Sequence, residues 1–479
     1  MLAMKTMKGA AWLIGSRFLG RGVDFFTLLI FARLLSPADF GLTALALTVV
    51  LIVDTVLEVP VTQALTRLPA IDKSHLDTGF TLNLLRGLLI GLVVLAAAWP
   101  VAAFYDNPAL APIMVALSAG PVIRSLASPR MVLFVREMSF RQLFTTEIIG
   151  KIVAVTAAIS TVLAGGGYWA LVVNFATGGA VGAVVSYALA PYRPRLSLAR
   201  LSDFAGFVGW FSLSQLVSAL NWQSDRLLLG AYIDKPALGR YAVANDVALL
   251  PNQTLIRPAM QPVMAAFTRI SHDAERQRGA FLKASRLAML LAAPMAVGLS
   301  LLADLVVALL LGPQWHAAAP FLASLALSAM AVPYFQTIYA LALAIDRPAL
   351  IFRLNTVELG VRSVLLPLGL FTLSAPGVAL ARIGVAAIMF GVYLLQVRAM
   401  AGLGLRAQLA NLWKIALATC AMALAVLLLR RGLAPLEPAP LIEAIATVVG
   451  GVASYVSALL LCGLRLGIGP GRLELVDRW

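Results

Sequence analysis

Apolar residues along this chain form long continuous runs that are separated by short polar segments. A helix needs about 20 apolar residues to cross a bilayer, and many of the runs have about this length. The strands of a membrane β-barrel would instead alternate apolar and polar positions. The pattern therefore predicts an all-α polytopic membrane protein with about 14 transmembrane helices. The predicted helices cover 11–33, 41–62, 80–104, 109–130, 145–164, 168–190, 205–232, 240–266, 284–311, 319–344, 352–373, 376–398, 413–431 and 441–462.

The composition agrees with a membrane location. Hydrophobic residues make up 61% of the chain, the mean hydropathy is +0.91, and only 12% of residues are charged, whereas about a quarter are charged in a soluble domain. The net charge of +15 would suggest nucleic acid as the partner of a soluble protein. In a membrane protein it reports orientation, because Lys and Arg collect in cytoplasmic loops. We therefore predict membrane lipids as partners and no nucleic acid.

The distribution of basic residues predicts how the chain is oriented. With the N-terminus in the cytoplasm, the inside segments hold 23 Lys and Arg residues and the outside segments hold five. This bias is the one expected of an inserted protein, and it predicts that both termini are cytoplasmic. We expect a multi-pass protein of a bacterial inner membrane.

The loops and the tail argue against an enzyme. The predicted outside loops, such as SPADFG and IDKPALG, are too short to form a catalytic domain, which disfavours a membrane glycosyltransferase or ligase. No nucleotide-binding G-x-x-x-x-G-K-[ST] sequence occurs. Cys420 and Cys462 lie in apolar runs, where a disulfide or a metal site is not expected. We therefore predict a protein without covalent chemistry, cofactor or metal.

An internal repeat predicts the domain organisation. Residues 28–46 and 226–244 both run from an apolar helix end, through a Pro-containing turn, to a Gly and a new helix. The spacing from Pro to Gly differs by one residue between the two copies. Parallel repeats of this kind are known in transporters. The predicted domains are an N-terminal six-helix lobe (1–190), a basic cytoplasmic linker (191–204), a C-terminal six-helix lobe (205–400), and two additional helices with a short cytoplasmic tail (401–479).

Four segments also resemble a known family: SRFLGRGVDFFTLLIFARLLSPADFGL (16–42), NWQSDRLLLGAYIDKPALGRYAVA (221–244), the stretch 262–276, and LLGPQWHAAAPFL (310–322). In order and spacing they resemble the polysaccharide transporters of the multidrug/oligosaccharidyl-lipid/polysaccharide exporter superfamily, most of all the Wzx-type flippases and exporters. The resemblance implies two six-helix lobes around a central cavity and an alternating-access mechanism.

The resemblance also implies a substrate and a pathway. The cargo would be an undecaprenyl-pyrophosphate-linked oligosaccharide, moved from the cytoplasmic to the periplasmic leaflet for exopolysaccharide or lipopolysaccharide assembly. A polysaccharide polymerase or export machinery would be a further partner. A lipid II flippase and a small-molecule multidrug efflux pump of the same superfamily remain alternatives. Buried bases slightly outnumber buried acids in the predicted helices, which favours an anionic cargo.

Charged and amide side chains recur inside predicted helices at helical spacing. Arg17, Arg21 and Asp24 fall on one face of the first helix, because positions i, i+4 and i+7 lie on the same side. A cation at a helix centre costs roughly 2.5–3.5 kcal/mol, so deep charges should face a wet cavity or a partner. Four other helices show the same spacing: Asp54 with Glu58; Asn221 with Asp225, beside Trp222 and Arg226; Asp246 with Gln253 and Arg257; and Glu358 with Arg362.

Two sets of candidate site residues follow. Planar arginines bind phosphate oxygens bidentately, and amide or aromatic side chains suit sugars. The predicted substrate-binding set is Arg17, Arg21, Asn221, Trp222, Arg226, Gln253, Arg257 and Arg362. The predicted ion-coupling or charge-pair set is Asp24, Asp54, Glu58, Asp225, Asp246 and Glu358.

Several of these charges have an alternative, structural interpretation. The pairs Arg17–Asp24, Asp225–Arg226, Glu147–Lys151 and Glu358–Arg362 could simply neutralise each other or lock the lobes. Arg124 and Arg382 could extend to the membrane surface. The sequence leaves the coupling ion open between H⁺ and Na⁺, and the membrane potential is a third driving force.

Overall fold

The computed structural model describes residues 2–68, 70–137, 139–205, 209–469 and 472–477, and most of them are helical. The α-helices, numbered α1 to α19 in chain order, are Leu2–Leu34, Pro37–Val56, Val61–Arg67, Lys73–Phe104, Leu110–Ser125, Met131–Arg136, Phe140–Leu163, Trp169–Leu189, Ser202–Ala205, Gly209–Tyr232, Lys235–Pro251, Arg257–Arg269, Ala274–Leu301, Ala303–Val306, Ala319–Ala329, Val332–Ala344, Pro348–Ala401, Leu405–Leu433 and Pro440–Leu461. The other elements are π-helices at Asn252–Ile256 and Val307–Leu311, 3₁₀-helices at Pro313–Ala318 and Ala434–Leu436, and strands β1 (Leu464–Gly469) and β2 (Arg472–Asp477).

The helices confirm the predicted fold class. In the part of the chain that the structure describes, nine helical stretches are long and apolar enough to cross a membrane. One of them, α17, covers two predicted segments, 352–373 and 376–398, and its backbone leaves the helical conformation between them, at Leu373 and Ser374. The predicted number of fourteen crossings stays a prediction. After α18 and α19, the chain forms two antiparallel strands in which Leu464 pairs with Asp477.

Several of the predicted helices are broken within their apolar runs, and two of these breaks lie beside candidate charged residues. The second predicted helix ends as α2 at Val56 and resumes as α3 at Val61, directly after Pro60. The eighth predicted helix passes from α11 into a π-helical turn after Pro251 and then into α12. Proline has no N–H to donate to the preceding turn, and kinks and π-turns collect at such positions. Both breaks free backbone groups that other residues must satisfy.

The chain forms two compact units, Met1–Ala242 and Val243–Trp479. In the first unit, α4 packs against α5, α7 against α8, and α10 against α2. In the second unit, α13 packs against α18 and α15 against α17, around the buried ring of Tyr334, which meets Phe281 edge to face with centroids 5.8 Å apart. The predicted lobe boundaries, with a linker at 191–204, stay predictions.

The two copies of the internal repeat cross each other inside the first unit. Gly41 and Gly239 each lie four residues after the first residue of their helices, α2 and α11. A Cβ atom on Gly41 would lie 1.9 Å from the carbonyl oxygen of Lys235, and one on Gly239 would lie 1.8 Å from that of Pro37. The close approach is reciprocal, and only glycine permits this separation. The difference in Pro-to-Gly spacing arises because Pro is the first helical residue in one copy and the second in the other.

The segment predicted as the linker (191–204) is mostly irregular, ends in the short helix α9, and lies against the start of α4. The hydroxyl of Tyr192 donates to Asp77 at 2.8 Å, and the backbone N–H of Arg195 donates to the same carboxylate at 2.9 Å. Farther along, the N–H of Ser197 donates to the hydroxyl of Thr81 at 2.9 Å. Burial, followed by the hydrogen bond to Asp77, raises the pKa of Tyr192 above its ordinary value. The linker is therefore held along its length by the first turns of one helix.

A charged cluster continues this attachment at the end of the linker. His75 lies 2.7 Å from Asp72 through Nδ1 and 3.3 Å from Asp203 through Nε2. The guanidinium of Arg200 donates to the hydroxyl of Ser74 at 3.1 Å. Hydrogen bonds from the hydroxyl of Ser74 and then from the backbone N–H of His75 lower the pKa of Asp72. Asp72 caps α4 in this way, and it joins the helix end to the linker.

Candidate functional site

The first group of intramembrane charges joins α1 to α7. The ammonium of Lys151 lies 2.8 Å from Asp24, 2.7 Å from Glu147, and 3.1 Å from the carbonyl oxygen of Gly20. Arg21 approaches Asp24 at 3.7 Å, and its side chain is 43% exposed. The structure therefore pairs Asp24 with Lys151, which the sequence analysis had paired only with Glu147. The side chain of Arg17 lies outside the described residues.

The second group lies where α2 breaks. Arg86 on α4 donates through Nε to the carbonyl oxygen of Leu57 at 2.8 Å, and through a terminal nitrogen to the carbonyl oxygen of Asp54 at 2.9 Å. The same nitrogen reaches the Asp54 carboxylate at 2.7 Å. Arg86 thus satisfies carbonyl groups that the broken helix leaves without an intrahelical partner.

Arg124, on α5, joins Asp54 from the opposite side. A terminal nitrogen of its guanidinium lies 3.4 Å from the second carboxylate oxygen of Asp54, and the guanidinium lies 5.2 Å from the ring centroid of Phe175. Sequence reasoning offered Arg124 as a residue that extends to the membrane surface, and it gave Arg86 no role. The available signal was that each is a cation within a predicted helix, while the second predicted helix carries two acids, Asp54 and Glu58.

The predicted stripe on α10 divides into buried and exposed members. Asp225 is 3% exposed and accepts hydrogen bonds from the hydroxyl of Tyr241 at 2.7 Å and of Ser224 at 3.2 Å. Asn221 is also buried, whereas Trp222 is 60% exposed. Arg226 is half-buried. Tyr241 was not foreseen, because it lies on α11 and reaches Asp225 only through the turn between the helices.

The remaining acid of α2 has a neutral partner. The amide nitrogen of Gln215, on α10, donates to Glu58 at 2.8 Å. No cation within the described residues forms an ion pair with Glu58. The carboxylate is half-buried, and the amide of Gln215 is its side-chain partner among the residues that the structure describes.

In the second unit, the predicted pair Glu358–Arg362 forms. Arg362 donates through Nε at 2.9 Å and through a terminal nitrogen at 2.6 Å to one oxygen of Glu358, and it is 8% exposed. Arg257 follows the π-turn, is exposed, and forms no ion pair with any described residue. Asp246 is exposed and Gln253 is half-buried. The binding and coupling roles of all these residues stay predictions.

Comparison with families and curated proteins gives a consistent result. The model of a polysaccharide biosynthesis protein family matches residues 30–320. The chain is 29% identical over 328 residues to the succinoglycan biosynthesis transport protein ExoT of Rhizobium meliloti (strain 1021), a match that covers 68% of this chain and 66%, just under two thirds, of that relative. It is 24% identical to the lipopolysaccharide biosynthesis protein WzxC of Escherichia coli (strain K12), over 74% of this chain and 73% of that one.

Solved structures show a shared fold. The lipid II flippase MurJ in its inward closed conformation aligns with a TM-score of 0.74 over 94% of this chain and 98% of that one, at 15% identity. An inward-facing multidrug resistance MATE family transporter of the MOP superfamily aligns with a TM-score of 0.62 over 79% of this chain and 94% of that one, also at 15% identity. At these identities the likeness concerns the fold alone.

Proposed function

This chain belongs to the polysaccharide biosynthesis protein family, and we propose that it is a flippase for undecaprenyl-pyrophosphate-linked oligosaccharides. It would carry the polar headgroup from the cytoplasmic to the periplasmic leaflet by alternating access, without covalent chemistry. The transport and biosynthesis relatives ExoT and WzxC support this class of cargo. We further propose a bacterial inner membrane location with both termini in the cytoplasm, and delivery of the cargo to a polysaccharide polymerase or export machinery.

The main structural support for this proposal is the position of Arg257. Arg257 is an exposed guanidinium directly after a π-turn in the eighth predicted transmembrane helix, and it has no ion-pair partner among the described residues. An unpaired cation in a membrane segment is costly unless water or an anion reaches it. A pyrophosphate supplies such an anion, because a planar guanidinium bonds two phosphate oxygens at once.

The other candidate residues differ in how accessible they are to the cargo. Arg21 is half-exposed and lies at a long 3.7 Å from its carboxylate, so we propose that it also contacts the headgroup. Trp222, which is exposed, would stack against a sugar ring. Arg362 is buried and bonded to Glu358, and we propose that this pair holds α17 together instead of binding cargo.

Glu58 is our candidate for ion coupling. Its hydrogen-bond partner is the neutral amide of Gln215, so binding a proton would break no ion pair within the described part of the chain. Asp24 and Asp54, by contrast, each lie between cations. A carboxylate that exchanges a proton during transport must be able to lose its charge without breaking an ion pair, and among these acids Glu58 meets this condition within the described residues.

Reconstitution tests the function. Purified protein in liposomes with an undecaprenyl-pyrophosphate oligosaccharide should move the glycan between leaflets, as reported by a membrane-impermeant glycan probe. Arg257→Gln should slow this exchange about tenfold or more, because a charged hydrogen-bond partner is lost. Arg141→Gln, at an exposed position of α7, should not change it.

The alternatives give different outcomes in the same liposomes. Exchange of lipid II but of no other undecaprenyl-linked glycan would favour a lipid II flippase, which the MurJ-like fold allows. Uptake of a small cationic drug without exchange of any lipid-linked glycan would favour an efflux pump. Running the assay with a H⁺ or a Na⁺ gradient identifies the coupling ion, and Glu58→Gln should abolish the gradient dependence.

A further inference from the structure

A cavity of about 290 Å³ lies within the first unit, between the broken end of α2, α4 and α5. This is room for about ten waters at liquid density. Its charged lining residues are two guanidiniums, Arg86 and Arg124, and one carboxylate, Asp54. The charged residues of the lining therefore have a net charge of +1. On the predicted topology the cavity lies toward the cytoplasmic side, where α2 ends and α4 begins.

Arg124 is the cation of this lining that is paired less completely. Arg86 is committed to the end of α2, because it bonds two carbonyl oxygens and one oxygen of Asp54 at 2.7–2.9 Å. Arg124 has only one contact with that same carboxylate, at 3.4 Å. Its side chain is 43% exposed, and its other guanidinium nitrogens have no hydrogen-bond partner among the described residues.

The fold holds this guanidinium in place. The aliphatic part of Arg124 passes over Gly179, where a Cβ atom would lie 2.9 Å from its Cγ. Its guanidinium lies over the ring of Phe175. An arginine that is fixed in this way loses less conformational freedom when it binds a ligand, which favours binding. Asn83 also lines the cavity, and its side-chain amide is not used in any hydrogen bond with the described residues.

We propose that this cavity is a phosphate-binding site, distinct from the residues that we propose to bind the cargo (Arg257, Arg21 and Trp222) or to couple ions (Glu58). The ligand is a phosphate group, contributed either by the headgroup of an anionic membrane lipid or by free phosphate, and Arg124 is its main ligand with Asn83 beside it. A guanidinium edge binds two phosphate oxygens, and the amide of Asn83 adds a donor. Asp54, held by Arg86, keeps Arg124 extended into the cavity between binding events.

Two binding measurements on the full-length protein test this site. Protein in phosphatidylcholine nanodiscs is titrated with inorganic phosphate by calorimetry. In parallel, native mass spectrometry counts the phosphatidylglycerol molecules retained from mixed-lipid nanodiscs. Arg124→Gln should weaken binding about tenfold or more, because a charge-assisted hydrogen bond is lost. Arg141→Gln, which removes an exposed charge on α7 away from the cavity, should leave it unchanged.

A second variant distinguishes positioning from charge. Gly179→Ala retains every charge but displaces the stem of Arg124, so binding should weaken while the net charge is constant. Loss of phosphatidylglycerol binding alone identifies a lipid headgroup as the source, and loss of phosphate binding alone identifies the free anion. The proposal is overturned if neither ligand binds, or if Arg124→Gln and Arg141→Gln behave alike. None of these readouts requires transport, so failure of the flippase proposal would leave this test intact.

Discussion

An alanine at position 239 would place its methyl carbon 1.8 Å from the carbonyl oxygen of Pro37 and 2.8 Å from the backbone nitrogen of Gly41. A carbon and a carbonyl oxygen normally stay about 3.3–3.6 Å apart, so α2 and α11 would have to separate by about 1.5 Å at this point. Both obstacles are backbone atoms, which cannot rotate away as a side chain can. Overpacking of this kind costs about 1–3 kcal/mol, which corresponds to a factor of roughly 5 to 150 in an equilibrium constant.

The free-energy cost should appear as opening of this helix crossing. A cavity beside the crossing is lined by Leu42, which is 6% exposed, so a cysteine there reports opening. In a background without Cys420 and Cys462, Gly239→Ala should raise the rate of maleimide labelling of Leu42→Cys about tenfold. The unfolding temperature of the detergent-solubilised protein should fall as well.

Gly22→Ala provides the matched control. Nothing lies within 4 Å of a Cβ atom at Gly22 on α1, and alanine is the better helix former by up to about 1 kcal/mol. This variant should leave the labelling rate unchanged and should not lower the unfolding temperature. If Gly239→Ala labels and unfolds as Gly22→Ala does, the helices do not need the close approach, and the reasoning from the reciprocal glycines is wrong.

Three further predictions concern single contacts. Tyr192→Phe removes the hydroxyl that ties the linker to α4; the linker should be cleaved faster in limited proteolysis, consistent with a hydrogen bond of about 1 kcal/mol. The hydrogen bond from Ser74 lowers the pKa of Asp72 in the folded protein. The stability that the Asp72 carboxylate contributes is therefore present above its pKa in the unfolded chain, about 3.9, and is lost as the pH falls through its pKa in the folded protein. Asp72→Asn should flatten the acid limb of an unfolding-temperature profile below about pH 4. Arg362→Gln leaves the half-buried Glu358 without its cation and should destabilise the protein by about 3 kcal/mol in chemical unfolding, whereas replacing both residues by apolar ones should restore most of this loss.

The sequence predicted some charge contacts and missed others for a definite reason. The pairs Glu147–Lys151 and Glu358–Arg362 are four residues apart on one helix, so helical geometry alone brings them together. Asp54, by contrast, meets Arg86 and Arg124 across separations of 32 and 70 residues. No local rule selects among the acids and bases of different helices.

The internal repeat shows the same limit. The similarity of 28–46 and 226–244 is visible in the sequence, and the structure confirms that both copies contain a helix start with a Gly four residues later. That Gly41 and Gly239 then face each other follows only from the packing of α2 against α10 and α11. A glycine in a sequence does not reveal which backbone will approach it.

The sequence by itself determined that this chain is a helical membrane protein, and it carries the residues that the polysaccharide biosynthesis protein family model matches. Whether an apolar segment enters lipid depends mainly on the composition of that segment. The four segments that resemble the family are also short stretches that can be recognised without knowing how the helices pack. Only the tertiary structure decided that Arg124 lines a cavity with Arg86 and Asp54. It also decided that the buried Asp225 accepts a hydrogen bond from Tyr241 and that Tyr192 joins the segment 191–204 to α4. These features depend on distances between separate helices, which are set by the packing of the whole unit.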